Sequence, residues 1–365
     1  MTDQRPTGQR LLIAASGTGG HLFPAIATAE QLPDFEIEWL GVSDRLETQL
    51  VPSHYPLHTI AVTGLQKRFG LETLRILWRL MGAVFQVRKL LQQGQFRGVL
   101  TTGGYIAAPA ILAARSLGLP VVLHESNAIP GKVTRFLAWF CSRVAVGFPV
   151  TARALPTQRT VWVGTPVRSQ FRQPTPLSSL EIPPEVPLIV GVGGSQGAIA
   201  LNRLIRQCAP AWLAAGAWVV HLTGDSDPDA HSLIHPHYVA LPFYDNMAGL
   251  LQRASLAVSR AGAGTLTELA VTGTPAILIP YPYAAEDHQT HNAASFAAVG
   301  AGFVYQQADL TPEMLETQVL ALLHDPTRRE QMAHQAASLA VTDSAEQLAM
   351  LVRQSLAGTV RNGVA

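Results

Sequence analysis

Three glycine-rich turns stand in this chain where a phosphate or a sugar could be held. They are Ser16-Gly-Thr-Gly-Gly-His21, Gly191-Val-Gly-Gly-Ser-Gln-Gly197 and Ser259-Arg-Ala-Gly-Ala-Gly-Thr-Leu-Thr-Glu268. Small residues let backbone N–H groups approach an anion, and a helix that begins there adds its positive end. The second turn has the make-up of a diphosphate cradle, with Ser195 adding a hydroxyl donor; a turn that needs glycine only for its backbone angles is the plain alternative. It departs from the dinucleotide fingerprint because Ser195-Gln196 stands inside it and no clear acidic residue closes a strand about 20 residues further on, which disfavours NAD. His21 ends the first turn at an expected helix start, where the helix dipole favours the neutral imidazole. Such a group suits a base or a hydrogen-bond partner; a capping or packing histidine is the other reading. Glu268 falls in the second turn of the helix after the third loop. A carboxylate there can accept both hydroxyls of a ribose, or simply complement the helix N-terminus.

Weaker signals lie nearby. Tyr281-Pro-Tyr-Ala-Ala-Glu-Asp-His-Gln-Thr-His-Asn292 offers amides that could read sugar hydroxyls or cap a helix. Thr101-Thr-Gly-Gly-Tyr105 and His124-Glu-Ser-Asn127 fall at expected strand ends, where an acceptor would be lined or the chain would merely turn. His231, His235 and His237 crowd together without a carboxylate or cysteine at metal-ligand spacing, so a solvated loop is expected and no catalytic metal.

The elements that must position these residues follow from apolar patterning. Short apolar runs at Leu11 to Ala15, Val99 to Thr101, Val121 to His124, Val144 to Val146, Leu188 to Val192, Trp218 to Leu222, Leu256 to Ser259 and Ala276 to Pro280 alternate with helical stretches. That alternation predicts an α/β protein with parallel sheets. Each half opens with a strand, a glycine-rich turn and a helix, so two Rossmann-like units are expected, with sites at the carboxyl ends of their strands facing a shared cleft. Arg168 to Pro187, rich in Pro, Ser, Thr and Gln, reads as the linker. A last helix near 344–359 follows the second domain and is expected to pack back on the first.

At 365 residues the chain suits two domains. Hydrophobic residues make up 48% and charged residues 14%, with a mean hydropathy of +0.19. Some apolar surface should therefore meet something other than water. A formal net charge of +1 argues against a general nucleic-acid binder. Cys141 and Cys208 are too few and too distant for a disulfide framework, which fits a reducing cytoplasm. The polar start, Met1 to Arg10, lacks the pattern of a signal peptide. Leu71 to Leu91 is interrupted by Glu72, Arg75, Arg79, Arg88 and Lys89 and should not span a bilayer.

Taken in order, the motifs resemble the MurG family, the UDP-N-acetylglucosamine transferases of peptidoglycan synthesis that make lipid II from lipid I. The match runs over nearly the whole chain: Gly17-Thr-Gly-Gly-His21, Gly103-Gly-Tyr105, His124-Glu-Ser-Asn127, Thr165-Pro-Val-Arg168, Gly193-Gly-Ser-Gln-Gly-Ala198 with Asn202, Arg260 to Glu268, and Asp287-His-Gln289 with Asn292. Ser16 stands where the family often has Gly, and Thr165 where Asn is common. The resemblance implies a GT-B fold, two Rossmann-like domains with parallel sheets facing a central cleft. Residues 1–166 would face acceptor and membrane, and residues 167–343 would bind UDP-N-acetylglucosamine.

By the same resemblance, Ser195, Gln196 and Gly197 meet the diphosphate, Arg168 lies near the donor phosphate or uracil, and the Tyr244 backbone faces uracil. Glu268 takes the ribose, while Gln289 and Asp287 read the N-acetylglucosamine hydroxyls. Thr18, Gly19, Gly20, His21, Tyr105, Glu125 and Asn127 line the acceptor side. The implied reaction is an inverting transfer in which the muramic acid 4-hydroxyl attacks the anomeric carbon as UDP leaves. His21 is the first candidate for base, with Glu125 and Asn127 as positioning or alternative groups. The helix after Gly197 stabilises the leaving group, with no metal or cofactor expected. The implied partners are UDP-N-acetylglucosamine, the lipid I acceptor, the anionic inner-membrane surface and other cell-wall synthesis proteins, with roles in cell shape and cell division. The implied location is peripheral, on the cytoplasmic face of the plasma membrane. The segment Leu65-Gln-Lys-Arg-Phe69 through Leu91 carries Leu71, Leu74, Leu77, Trp78, Met81 and Phe85 beside Lys67, Arg68, Arg75, Arg79, Arg88 and Lys89. It reads either as a helix lying on the bilayer or as an amphipathic helix buried on the sheet. Rivals are another GT-B transferase that makes a glycolipid, a UDP-N-acetylglucosamine epimerase, or a nonenzymatic UDP-sugar sensor.

Overall fold

The computed structural model describes residues 9–43, 46–61, 71–155, 158–177, 179–194 and 197–361. The chain divides into two compact units, Met1–Pro166 with Asp343–Ala365, and Val167–Thr342.

The first unit is built on parallel strands β1 (Gln9–Ala15), β2 (Phe35–Gly41), β3 (Leu57–Thr59), β4 (Gly98–Gly103), β5 (Val121–Glu125), β6 (Arg143–Val146) and β7 (Thr160–Trp162), in the order β3-β2-β1-β4-β5-β6-β7. The run Leu11 to Ala15 is apolar throughout because the sheet is covered on both faces. Leu11, Ile13 and Ala15 face Leu22, Ala25 and Ile26 of the Gly19–Ala29 helix. Leu12 and Ala14 face the core formed with Val87, Leu91, Ala110 and Ala114. The helix Ser344–Arg361 joins the first of these faces through Leu348, Ala349, Val352 and Leu356, and Arg353 pairs with Asp34.

The helix Leu71–Gln93 divides its described side chains between the sheet and solvent. Ala83, Val87 and Leu91 are buried at helical spacing, whereas Trp78, Met81 and Phe85 are 78%, 63% and 70% exposed. One stripe packs on the sheet and a second, aromatic one is left to solvent. Lys67, Arg68 and the segment 65–69 lie outside the described residues, as do the side chains of Leu71, Leu74, Arg75 and Leu77.

The second unit has strands β8 (Leu188–Val192), β9 (Trp218–Leu222), β10 (Tyr238–Leu241), β11 (Leu256–Ser259), β12 (Ala276–Leu278) and β13 (Gly302–Val304), all parallel, in the order β10-β9-β8-β11-β12-β13. The stretch Arg168 to Pro187, expected as a linker, is instead strapped to this unit. Phe171 is buried in its core, and Leu177, Leu180 and Ile182 pack against it. Arg253 donates to the carbonyls of Pro183 and Val186, and Gln252 accepts from the Thr175 N–H. Side-chain donors satisfy a backbone that has no regular hydrogen-bond ladder, so no apolar period marks it.

In each sheet the strand order reverses once, between β1 and β4 and between β8 and β11. A crevice outside the carboxyl ends of the strands is expected at each reversal. The glycine-rich turns leave the strands at these points.

Candidate functional site

In the first unit the loops after β1 and β4 interlock. Thr18 is the N-cap of the Gly19–Ala29 helix and makes no side-chain cap bond; its carbonyl accepts from the N–H groups of His21 and Leu22. Gly17 takes a φ of +101°, and its N–H donates to Glu47 Oε2 at 3.2 Å. Glu47 is fully buried and also accepts from the Val42 N–H at 2.7 Å. No motif announced it, since it lies in a four-residue helix, Glu47–Leu50. A Cβ on Gly19 would stand 2.8 Å from the Phe23 ring, whereas Gly20 has room for one.

His21 Nδ1 lies 3.2 Å from the Ser16 carbonyl oxygen, an acceptor only. The Nδ1–H therefore donates there, which makes Nε2 the basic nitrogen of the neutral ring. The imidazole packs on Gly103, where a Cβ would stand 3.1 Å from Nε2. Gly104 passes so close to the Ser16 carbonyl oxygen that a Cβ would sit at 2.6 Å. With φ of +108° and +82°, Gly103 and Gly104 cannot be replaced without strain. Tyr105, directly after them, is 40% exposed.

Glu125, at the end of β5, is spent on structure. Oε1 accepts from the backbone and side-chain amides of Asn127, both at 3.1 Å, while Oε2 accepts from the Gly131 N–H at 3.1 Å and the Thr134 hydroxyl at 2.6 Å. A carboxylate holding four donors anchors its loop, which suits the positioning use expected of Glu125 beside His21. Asn127 is likewise tied down, and its carbonyl accepts from Thr151 Oγ1 at 2.9 Å. His124 beneath them is buried, donates from Nε2 to the Gly164 carbonyl at 2.9 Å, and is kept neutral by burial.

In the second unit two helices begin at the β8/β11 crevice without side-chain caps, Ile199–Ala214 and Ala263–Thr272. Neither has an acidic residue in its first turn. Uncapped N–H groups at a helix start are able to hold an anion. Gly197, at φ +72°, closes the turn by donating to the Gly194 carbonyl at 3.0 Å. Ser195 and Gln196 lie outside the described residues.

Glu268 sits in the second turn of the Ala263–Thr272 helix, with its side chain 14% exposed. Its partner is Arg168, whose Nη2 lies 3.6 Å from Oε1 and whose guanidinium stacks over Phe171. Burial pushes the Glu268 carboxyl up to about 7, and Arg168 only partly offsets it. Gln289 holds the loops after β11 and β12 together, because Oε1 accepts from the N–H groups of Ala261 at 3.1 Å and Tyr281 at 2.9 Å. Its NH₂ takes no part in these two bonds. Asn292 is buried and donates to the Ala261 carbonyl at 3.2 Å, while Arg260 braces the carbonyls of Ile279 and Pro280. Asp287 is exposed and accepts from Thr290 Oγ1 at 2.7 Å. Glu286 and Asp287 both have positive φ, 55° and 53°, a strain of about 1–3 kcal/mol each. The Tyr244 hydroxyl bonds Ser179 Oγ, and its backbone follows β10. Of the three crowded histidines, His237 stacks on Trp218 and His235 meets His237 edge to face. Cys141 and Cys208 are buried free thiols.

The sequence matches the glycosyltransferase family 28 N-terminal domain over residues 11–146 and the C-terminal domain of the same family over residues 188–348. It is 64% identical over 94% of its length, and 97% of the relative's, to a UDP-N-acetylglucosamine–N-acetylmuramyl-(pentapeptide) pyrophosphoryl-undecaprenol N-acetylglucosamine transferase of Nostoc sp. strain PCC 7120. The crystal structure of Acinetobacter baumannii MurG superposes with a TM-score of 0.74, at 29% identity, covering 95% of this chain and 99% of that one. The chain belongs to the MurG family. The expected fold class is borne out, with two Rossmann-like α/β units, each on a parallel sheet. A putative UDP-N-acetylglucosamine 2-epimerase from Listeria monocytogenes also superposes, with a TM-score of 0.67 at 12% identity and coverage of 94% and 95%. That likeness is of fold alone, so it is sequence that separates MurG from the epimerase.

Proposed function

We propose that this chain transfers N-acetylglucosamine, with inversion, from UDP-N-acetylglucosamine to the muramic acid 4-hydroxyl of undecaprenyl-pyrophosphoryl-N-acetylmuramyl-pentapeptide, the lipid I to lipid II step of peptidoglycan synthesis. The reading is carried by an enclosed carboxylate, Glu268, whose one side-chain partner among the described residues is Arg168, in a unit where the helices after β8 and β11 both start without side-chain caps. A ribose diol would satisfy the first and a diphosphate the second. The 64% identity to the Nostoc transferase, over 94% of this chain and 97% of that one, supports the same reaction.

In this reading His21 Nε2 takes the proton from the attacking hydroxyl, with Nδ1–H held by the Ser16 carbonyl. Glu125 positions Asn127 and the loop through Thr134. Negative charge that develops on the UDP leaving group falls on the N–H groups at the start of the Ile199–Ala214 helix, with Ser195 and Gln196 in the turn before it. Arg168 lies near the donor phosphate or uracil, and the Tyr244 backbone faces the base. Gln289, through its NH₂, and Asp287 read the sugar hydroxyls.

The enzyme works as a peripheral protein at the cytoplasmic face of the plasma membrane. No helix among the described residues is long and apolar enough to cross a membrane. Exposed Trp78, Met81 and Phe85, with Arg79 and Lys89 on the same helix, support contact with an anionic bilayer. Replacing Trp78 and Phe85 by Ser should reduce sedimentation with anionic liposomes; equal binding removes this patch from the account.

The activity is tested with radiolabelled UDP-N-acetylglucosamine and a lipid I analogue in the presence of chelator. Label should enter the lipid phase as UDP is released. Conversion of free UDP-N-acetylglucosamine without acceptor would favour the epimerase reading.

A further inference from the structure

Behind the second crevice runs a buried chain of polar side chains, of which only Asn202 belongs to a motif. The Tyr238 hydroxyl, on β10, donates to His221 Nδ1 at 2.6 Å. His221 Nε2–H donates to Asn202 Oδ1 at 3.2 Å. Asn202 Nδ2 donates to the Thr223 carbonyl at 2.8 Å and to Asp227 Oδ2 at 2.7 Å, and Arg206 grips both oxygens of Asp227. All five side chains belong to residues no more than 8% exposed. The direction of each bond is forced. Because the Asn202 nitrogen faces two acceptors, its oxygen must accept from His221, whose other nitrogen must then accept from Tyr238. Burial holds His221 down at about 4, which keeps it in the neutral form this chain requires.

The chain ends on backbone that touches both flanks of the crevice. Thr223 N–H donates to the Leu241 carbonyl at 2.9 Å, and Gly224 N–H donates to the Pro242 carbonyl at 3.1 Å, just before Phe243-Tyr244. On the other side, Gly197 lies so near that a Cβ would stand 2.6 Å from the Thr223 carbonyl oxygen. Asn202 itself belongs to the first turn and a little more of the Ile199–Ala214 helix. One hydrogen-bonded frame therefore carries the glycine turn, the helix N-terminus and the strand end that leads to Tyr244.

We infer that this frame fixes the spacing between the diphosphate-binding turn and the base-binding strand end, with Asn202, His221 and Tyr238 as positioning residues. The inference rests on the donor reading given above. A fully satisfied buried network is rigid, and it loses more than one bond when any member is removed. Its effect on a ligand depends on how many parts of the frame that ligand spans. UDP spans the turn and the strand end, whereas uridine reaches the strand end and Glu268 but not the turn.

The test compares inhibition constants of UDP and uridine in the transfer assay for the native enzyme, Asn202→Ala and Tyr238→Phe. Asn202→Ala should raise the UDP constant and the KM for UDP-N-acetylglucosamine by about tenfold while uridine changes by less than about twofold; Tyr238→Phe should do the same more weakly. Tyr238→Phe removes one hydroxyl from a ring that packs as before, so it decides the question if Asn202→Ala does not fold. Equal shifts for UDP and uridine, or no shift for either, overturn the inference. Failure of the donor reading looks different, because the native enzyme would then be inhibited by neither compound.

Discussion

Each unit encloses a carboxylate, Glu125 at the end of β5 and Glu268 in the helix after β11, and the two differ in the donors they hold. Glu125 in the first unit holds four donors from its own loop. Glu268 in the second is almost as enclosed, yet among the described residues it has only Arg168, at 3.6 Å. Burial without donors raises a carboxyl, and the Glu268 group rises to about 7. The contrast separates two uses of a buried acid. A saturated one builds the site, and an unsaturated one waits for a ligand whose hydroxyls complete it.

Substitutions can break or sharpen this contrast. The largest effect is expected at neither acid but at the base: His21→Ala should lower turnover by about 10²- to 10⁴-fold with UDP affinity little changed. An unchanged turnover number removes His21 from the catalytic set. Next, Glu125→Ala strands four donors, of which the Thr134 hydroxyl is buried, and should cost about 1–3 kcal/mol of stability, read as a lowered melting temperature, with activity falling as the Asn127 loop loosens. Glu268→Gln should behave in the opposite way. The KM for UDP-N-acetylglucosamine should rise by about ten- to a hundredfold as charge-assisted bonds to the ribose are lost. Stability above pH 7 should not fall and should improve, by up to about 3 kcal/mol.

The sign of that last effect follows from proton linkage. Below its ordinary value of 4.5, the Glu268 carboxyl is neutral both folded and unfolded and has no effect. As pH rises from 4.5 to about 7 the unfolded chain ionises first, so the folded state is progressively disfavoured, and the cost is complete above 7. Denaturant midpoints of native enzyme and Glu268→Gln should therefore converge near pH 4.5 and diverge above it. Parallel curves would mean that Glu268 already has donors in the free protein.

Much of this could be read from residue order, and the failures have physical causes. The central strands were legible because Leu11 to Ala15 and Leu188 to Val192 are continuous apolar runs buried on both faces. Edge strands β3, β7 and β13 are three residues long and half-exposed, so nothing in the pattern marked them. The stretch after Arg168 looked like a linker because its attachment uses Arg253, Gln252 and Asn246 side chains on distant carbonyls and amides, contacts with no local period. Glycine turns and Glu268 were visible as motifs. The saturation of Glu125 was not, since its partners Gly131 and Thr134 are ordinary residues until the loop folds back. Glu47, His221 and Tyr238 were silent for the same reason: each acts through a backbone or side chain far away in sequence.

The most direct test of the vacant-carboxylate account is calorimetric titration of the native enzyme with UDP-N-acetylglucosamine at pH 6, in buffers of different ionisation enthalpy. UDP-N-acetylglucosamine has no phosphate proton to lose at that pH, so any release comes from the protein. The account predicts that binding expels close to one proton, because a carboxyl at about 7 is almost fully protonated before the ribose arrives and ionised after it. Binding of normal affinity with no proton released, or release that persists in Glu268→Gln, would contradict it.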